Sequence, residues 1–177
     1  MKIITWDVST VATGWAYMDD DKIIDYGVIK PPEDLSESAK YFYITHSALG
    51  LLKLYRPSTI VIEDTFFAKD PTVLKKLNRI AGQIMFIWFQ STGREVVFYM
   101  AMTARKDFPG LNGRSKKEEI VEAVNKHFEL RGRVKDHNIA DALVLGYHHY
   151  LATRPEIGPV APDVQSVVAP KEKARKK

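Results

Sequence analysis

KIITWDVSTVATGWAYMDDDKIIDYGVIK, residues 2–30, holds three short apolar runs in succession, and how they pair decides the fold. KIITWDVS is rich in β-branched residues and ends at an acid, Asp7. TGWAYMD and KIIDYGVIK follow as two more strands, joined by a turn around Asp19, Asp20 and Asp21. Three strands one after another predict an antiparallel meander.

Beyond the meander the pattern alternates between helix and strand. Asp34-Leu35-Ser36-Glu37 has the form of a capping box, with Asp34 as N-cap and Glu37 reaching back, and predicts a helix to about Tyr55, stopped by Pro57. STIVIED, residues 58–64, is a buried strand ending in acids. Asp70-Pro71 opens a second helix, a cap followed by proline at the first helical position, and Thr72 to Ser91 runs to a stop at Gly93. The half from Ile80 to Phe89 is apolar nearly all round, so it must be covered on more than one side, by the sheet and a helix or by a partner subunit. EVVFYM, residues 95–100, is a fifth strand, and a polar, glycine-containing loop is expected from Thr103 to Arg114. Ser115 to Glu118 reads as a second capping box opening a helix to about Phe128, and Asp136 to Leu151 is the last helix.

The order βββαβαβαα predicts an α/β fold: a five-stranded mixed sheet, three antiparallel strands and then parallel ones, with helices on both faces. Residues 1–151 are expected to form a single domain, and 152–177, rich in Pro and Lys, a flexible basic tail.

Composition narrows the chemistry. With 45% hydrophobic and 27% charged residues, disorder throughout is excluded. The chain has no cysteine, which rules out disulfides, thiolate zinc sites and a cysteine nucleophile and leaves carboxylate, imidazole, amide or water to hold any metal. The N-terminus is too short in apolar residues for a signal segment, and no later run approaches the ~18 needed to span a bilayer. A soluble cytoplasmic protein with no membrane partner is therefore expected, in the host cytoplasm were it viral. Of the net charge of +4, most belongs to the tail. Within the body, Asp19 to Glu37 is acidic, whereas Arg94 to Lys117 gathers Arg94, Arg105, Lys106, Arg114, Lys116 and Lys117, which suggests one face made for an anion.

Three acids stand at the ends of elements. Asp7 and Glu63 each close an apolar strand, where side chains of neighbouring strands can converge, and Asp141 in DHNIADAL would join them from the last helix. Carboxylates ~5 Å apart repel by roughly 3 kcal/mol per pair at an effective dielectric near 20, so such a cluster calls for cations. Hard oxygen ligands without sulfur point to magnesium, with manganese as a substitute.

The residues around all three acids resemble one family, the RuvC-type Holliday junction resolvases of the RNase H-like superfamily, over most of residues 1–150. IITWDVSTVATGWAYM is similar to the family's first hairpin, with its catalytic Asp at Asp7 and the Thr-Gly opening strand 2 at Thr13-Gly14. VIEDTFFAK is similar to its strand-4 motif, with the catalytic Glu at Glu63, an aromatic at Phe66, and Lys69. ADALVLGYHH is similar to its C-terminal helix, with the last Asp at Asp141 and a His at His148. The family's Asp or His three residues before that Asp is here Asn138, so Asn138 is a neutral fourth ligand or His137 substitutes for it, while Asp136 is read as the helix N-cap. His148 and His149 are read as solvated residues near a helix end.

The resemblance implies an RNase H-like fold and a magnesium-dependent endodeoxyribonuclease that resolves branched DNA with two ions per site, held by Asp7, Glu63, Asn138 and Asp141. A four-way junction has two equivalent strands to cut, which implies a symmetric homodimer, with the helix from Ile80 to Phe89 as its interface. Lys69, Lys75, Lys76, Arg79, Arg105, Lys106, Arg114, Lys116 and Lys117 are expected on phosphates, and Phe66 either as a wedge stacking on an unpaired base or as core packing beside Phe67. Two other readings compete. Asp7-Val8-Ser9 followed by Thr13-Gly14 also resembles the phosphate-binding hairpin of actin-like ATPases and sugar kinases, and the neutral Asn138 would suit a junction-binding protein weakened in catalysis.

Overall fold

Strand β1 (Lys2–Asp7) is where the sheet changes character. On one side it pairs antiparallel with β2 (Thr13–Asp19), which pairs antiparallel with β3 (Lys22–Ile29); on the other it pairs parallel with β4 (Thr59–Glu63). β4 in turn pairs parallel with β5 (Val97–Tyr99), so the order across the sheet is β3-β2-β1-β4-β5. The predicted mixed sheet is thus present, strand for strand. These relations come from a computed structural model that describes residues 1–65 and 70–154.

The helices are α1 (Glu37–Tyr55), α2 (Pro71–Thr92), α3 (Ala101–Asp107), α4 (Lys117–His127) and α5 (His137–Thr153). Strand alternation sorts the side chains between two cores. Ile4, Trp6, Trp15, Tyr17, Ile60 and Ile62 face one way and bury Ile44 and Leu52 of α1 with Ile80, Ile84 and Trp88 of α2. Ile3, Ala16, Met18 and Val61 face the other way, against α3, α4 and α5. Leu143, Val144 and Leu145 of α5 are almost wholly buried there, each worth about 1.5–3 kcal/mol.

Two glycines let α5 come down onto the sheet. A β-carbon at Gly14 would overlap the carbonyl of Asn138, and one at Gly146 would overlap the sulfur of Met18. Between them, Thr5 Oγ1 donates a 2.7 Å hydrogen bond to the Ala142 carbonyl. Helix and strand are thereby held by backbone contact as well as by apolar packing.

Several local expectations shift. α1 is capped by Ser36, whose Oγ accepts from Ala39 N at 3.4 Å, and not by Asp34, which lies in the turn closed by Leu35 N donating to the Pro32 carbonyl. The start of the expected loop, residues 103–107, is helical instead, as part of α3, because Ala104 and Phe108 bury on the α5 side and fold the segment by tertiary packing. The box at α4 begins one residue late: Lys116 is the N-cap and Glu119 accepts from Lys116 N at 2.9 Å, while the Ser115 hydroxyl accepts from Asn112 N at 3.0 Å and closes the preceding turn. The other ends stand as expected. Asp70 accepts from Thr72 N, Gly93 takes a left-handed φ of 67°, and Asp136 accepts from Asn138 N.

Candidate active site

Asp7 and Glu63 follow Trp6 and Ile62, which are partners in the parallel β1–β4 ladder, so the two acids leave adjacent strand ends together. They share the face of Thr5 and Val61, the face that α5 covers. α5 brings Asp141 to them one turn after its start, with its side chain only 7% exposed.

A guanidinium stands in the same place. Arg105 of α3 donates from Nε and Nη2 to one oxygen, Asp141 Oδ1, at 3.1 and 2.8 Å. One cation does not balance three buried carboxylates. Burial, the charges of Glu63 and Asp141 and a hydrogen bond to Glu63 lift the Asp7 carboxyl well above the carboxylate range, against the pull of Arg105. Burial also raises Glu63, although its hydrogen bond with Asp7 holds it down. Burial raises Asp141, with Arg105 opposing.

This donor set fits a hard divalent cation. Its ligand atoms are carboxylate oxygens, and the burial and mutual repulsion that raise the Asp7 carboxyl are what added positive charge would offset. Among the described residues, the side chains as they stand do not bring three acidic or imidazole groups to joint metal-ligating distance.

The other predicted residues divide by face. Asn138 lies in the first turn of α5, three residues before Asp141 and so on the same side of the helix, and its Nδ2 donates to Asp136 Oδ1 at 3.0 Å. Asp136 is occupied as the N-cap, with Lys30 3.8 Å from its other oxygen. His137 Nε2 accepts from Lys117 Nζ at 2.7 Å. Lys106, Arg114, Lys116 and Lys117 are exposed on α3, the loop after it and the start of α4. Lys75 and Arg79 sit on α2, which packs on the opposite face of the sheet, and there Arg79 and Lys76 both pair with Glu37 of α1. Phe66 and Lys69 lie outside the described residues, as does the tail from 155 onward.

His148 and His149 are not solvated. α3 and β5 cover that end of α5: His148 Nδ1 meets Asp107 Oδ2 at 2.8 Å, and His149 Nδ1 pairs with the Tyr99 hydroxyl at 3.0 Å. Burial and the neighbouring His148 lower the His149 pKa. The only local hint of this cover is Ala104 and Phe108, apolar positions four apart on either side of Arg105, too short a run to show a helical period.

A five-stranded mixed sheet of this order, with helices on both faces, is an RNase H-like α/β fold. T. thermophilus RuvC in complex with Holliday junction substrate superposes with a TM-score of 0.73 over 86% of this chain and 94% of that one, at 22% identity. The yeast mitochondrial Holliday junction resolvase Ydc2 superposes at 0.59 over 85% and 78%, at 11% identity. The family model for crossover junction endodeoxyribonuclease RuvC matches residues 9–149, and the chain belongs to that family. The crossover junction endodeoxyribonuclease RuvC of Dictyoglomus thermophilum is 29% identical over 149 residues, covering 82% of this chain and 93% of its own; that of Fusobacterium nucleatum is 28% identical over 153 residues, covering 84% and 80%.

Proposed function

We propose that this chain is a crossover junction endodeoxyribonuclease that resolves four-way DNA junctions by metal-dependent hydrolysis of a phosphodiester. The observation that carries it is the convergence of Asp7, Glu63 and Asp141 from β1, β4 and α5, the last two inside residues 9–149 that match the family and Asp7 just ahead of them. Magnesium, or manganese in its place, would be held as two ions by these carboxylates with the amide oxygen of Asn138 as the neutral fourth ligand. When bound, the ions lower the pKa of a water and stabilise the departing 3′ oxygen. The protein's part is to place those ligands and to orient the DNA.

Asn138 is favoured over its neighbours because the alternatives are engaged. His137 gives its Nε2 lone pair to Lys117, and Asp136 holds the helix end. Lys106, Arg114, Lys116 and Lys117 suit phosphates, the last two strengthened by the free amides at the start of α4. Phe66 and Lys69, next to the β4 motif in sequence, keep their assignment as wedge and phosphate contact.

A symmetric dimer is proposed through α2. Its inner stripe, Ile80, Ile84 and Trp88, is buried, yet Met85, Phe86 and Phe89 stay exposed on the other side, Phe86 at 64%. They flank a groove of about 670 Å³ between α1 and α2, beside Phe42 at 69% exposure. Such apolar area in water marks an interface.

The test is magnesium-dependent nicking of a synthetic four-way junction against linear duplex of the same sequence. Paired cuts in the junction with the duplex intact support the reading. Tight junction binding without cuts would make the protein a junction binder instead, and loss of both would sink the assignment.

A further inference from the structure

The Arg105–Asp141 pair lies where the cation of the site must act. Nε and Nη2 of the guanidinium converge on a single oxygen, Asp141 Oδ1, at 3.1 and 2.8 Å. The pair is well shielded, with Asp141 at 7% and Arg105 at 22% side-chain exposure, and the same guanidinium acts favourably on Asp7 and Glu63. A divalent ion drawn to this carboxylate and a guanidinium bonded to it compete through like charge at close range.

The backbone that carries Arg105 cannot yield. Ala104 and Phe108 are buried on either side of it, and Asp107 at the end of α3 is tied to His148 of α5. Movement must therefore be in the Arg105 side chain alone. It turns about four rotatable bonds, and Lys106, Arg114, Lys116 and Lys117, the group suited to phosphates, are exposed along the same α3–α4 stretch of chain.

We propose that Arg105 is the internal counter-ion of the acid cluster, displaced from Asp141 by the divalent ion and handed to a DNA phosphate. Metal and DNA then bind cooperatively through one side chain: the ion expels the guanidinium, and the phosphate stabilises it once expelled. Reciprocity requires each ligand to tighten the other by the same factor, in the range of about 5- to 150-fold typical of linked sites. This inference rests on the nuclease reading of the site and adds to it a role for a residue that is not a metal ligand.

The experiment compares the full chain with Arg105→Met, which keeps the apolar stem, and Arg105→Lys, which keeps the charge but not the fork. Manganese affinity is measured without DNA by paramagnetic resonance of the free ion, and four-way junction affinity by anisotropy in calcium and in chelator. Thermal melting of each variant checks that it is folded. Arg105→Met is expected to bind manganese at least about fivefold more tightly than the parent, and to lose the calcium-induced tightening on DNA that the parent shows. Arg105→Lys is expected to fall between. Equal or weaker manganese binding by Arg105→Met, with the parent binding the ion, would overturn the counter-ion role and leave the nuclease reading standing. A parent that binds no divalent ion at all would overturn both.

Discussion

The two faces of the sheet break the rules of burial in opposite ways. Under α5 a carboxylate is buried among Ala140, Ala142 and Leu143, where a charge does not belong; on α2, Phe86 and Phe89 stand in water, where large apolar rings do not belong. Each misplacement identifies what is to come. A buried anion cluster calls for cations from solution, and exposed rings beside a groove call for another protein surface. The α5 face is closely fitted, by main-chain contact at Gly14 and by the Met18 side chain against Gly146, while the α1–α2 face keeps an open groove.

The sharpest break of this contrast is Asp7→Asn. It should lower junction cleavage by ~10³-fold or more, the scale of losing a group that organises transition-state charge, and leave junction affinity within about threefold in a gel-shift measurement. Cleavage surviving the change would detach the buried acids from the chemistry.

Gly14→Ala comes next, because its β-carbon would meet the carbonyl of Asn138 and stand 2.8 Å from Ile139 N, main-chain atoms with no easy way to move. A loss of about 3 kcal/mol is expected from the denaturant midpoint, at the upper end of ordinary overpacking. A near-neutral result would mean that α5 is not locked at all. On the other face, Phe86→Glu should cost little folding stability yet shift the sedimentation profile from dimer to monomer at micromolar concentration; an unchanged profile removes α2 as the interface.

The smallest effect separates the faces by pH. Asp7 is raised above its unfolded value by burial and by Glu63, and burial raises Glu63 and Asp141 as well. Stability from protons held there is complete below the ordinary carboxylate range and is lost as pH rises through the elevated values. In chelator, the melting temperature of Asp7→Asn should therefore gain on the parent by a few degrees between mildly acidic and neutral buffer, at about 2–4 °C per kcal/mol for a chain of this size. Phe86→Glu should show no such trend, and a parent that gains on Asp7→Asn with rising pH contradicts the shift.

Local periodicity was enough to place Asp7 and Glu63 on one side of the sheet, since Ile4 and Trp6 alternate with Thr5 and Asp7, and Ile60 and Ile62 with Val61 and Glu63. Asp70-Pro71 and Gly93 likewise marked both ends of α2. What stayed hidden depends on distant partners. α3 has seven residues, too few for a helical period to show, and exists because Ala104 and Phe108 find α5. Arg105 reads as a free phosphate contact in its basic neighbourhood, and its partner lies 36 residues further on. His148 and His149 look like a polar helix end until β5 and α3 are laid over them.

The contact between Gly14 and residue 138 acts on main-chain atoms only. The helix is therefore registered on the sheet whatever side chain residue 138 carries. One position of the site is insulated from the scaffold: Asn, Asp or His could stand there with Asp141 unmoved. If Asn138 takes the ligand role proposed for it, charge at 138 becomes a variable that evolution, or a designer choosing a metal, can change with one codon and without repacking the core.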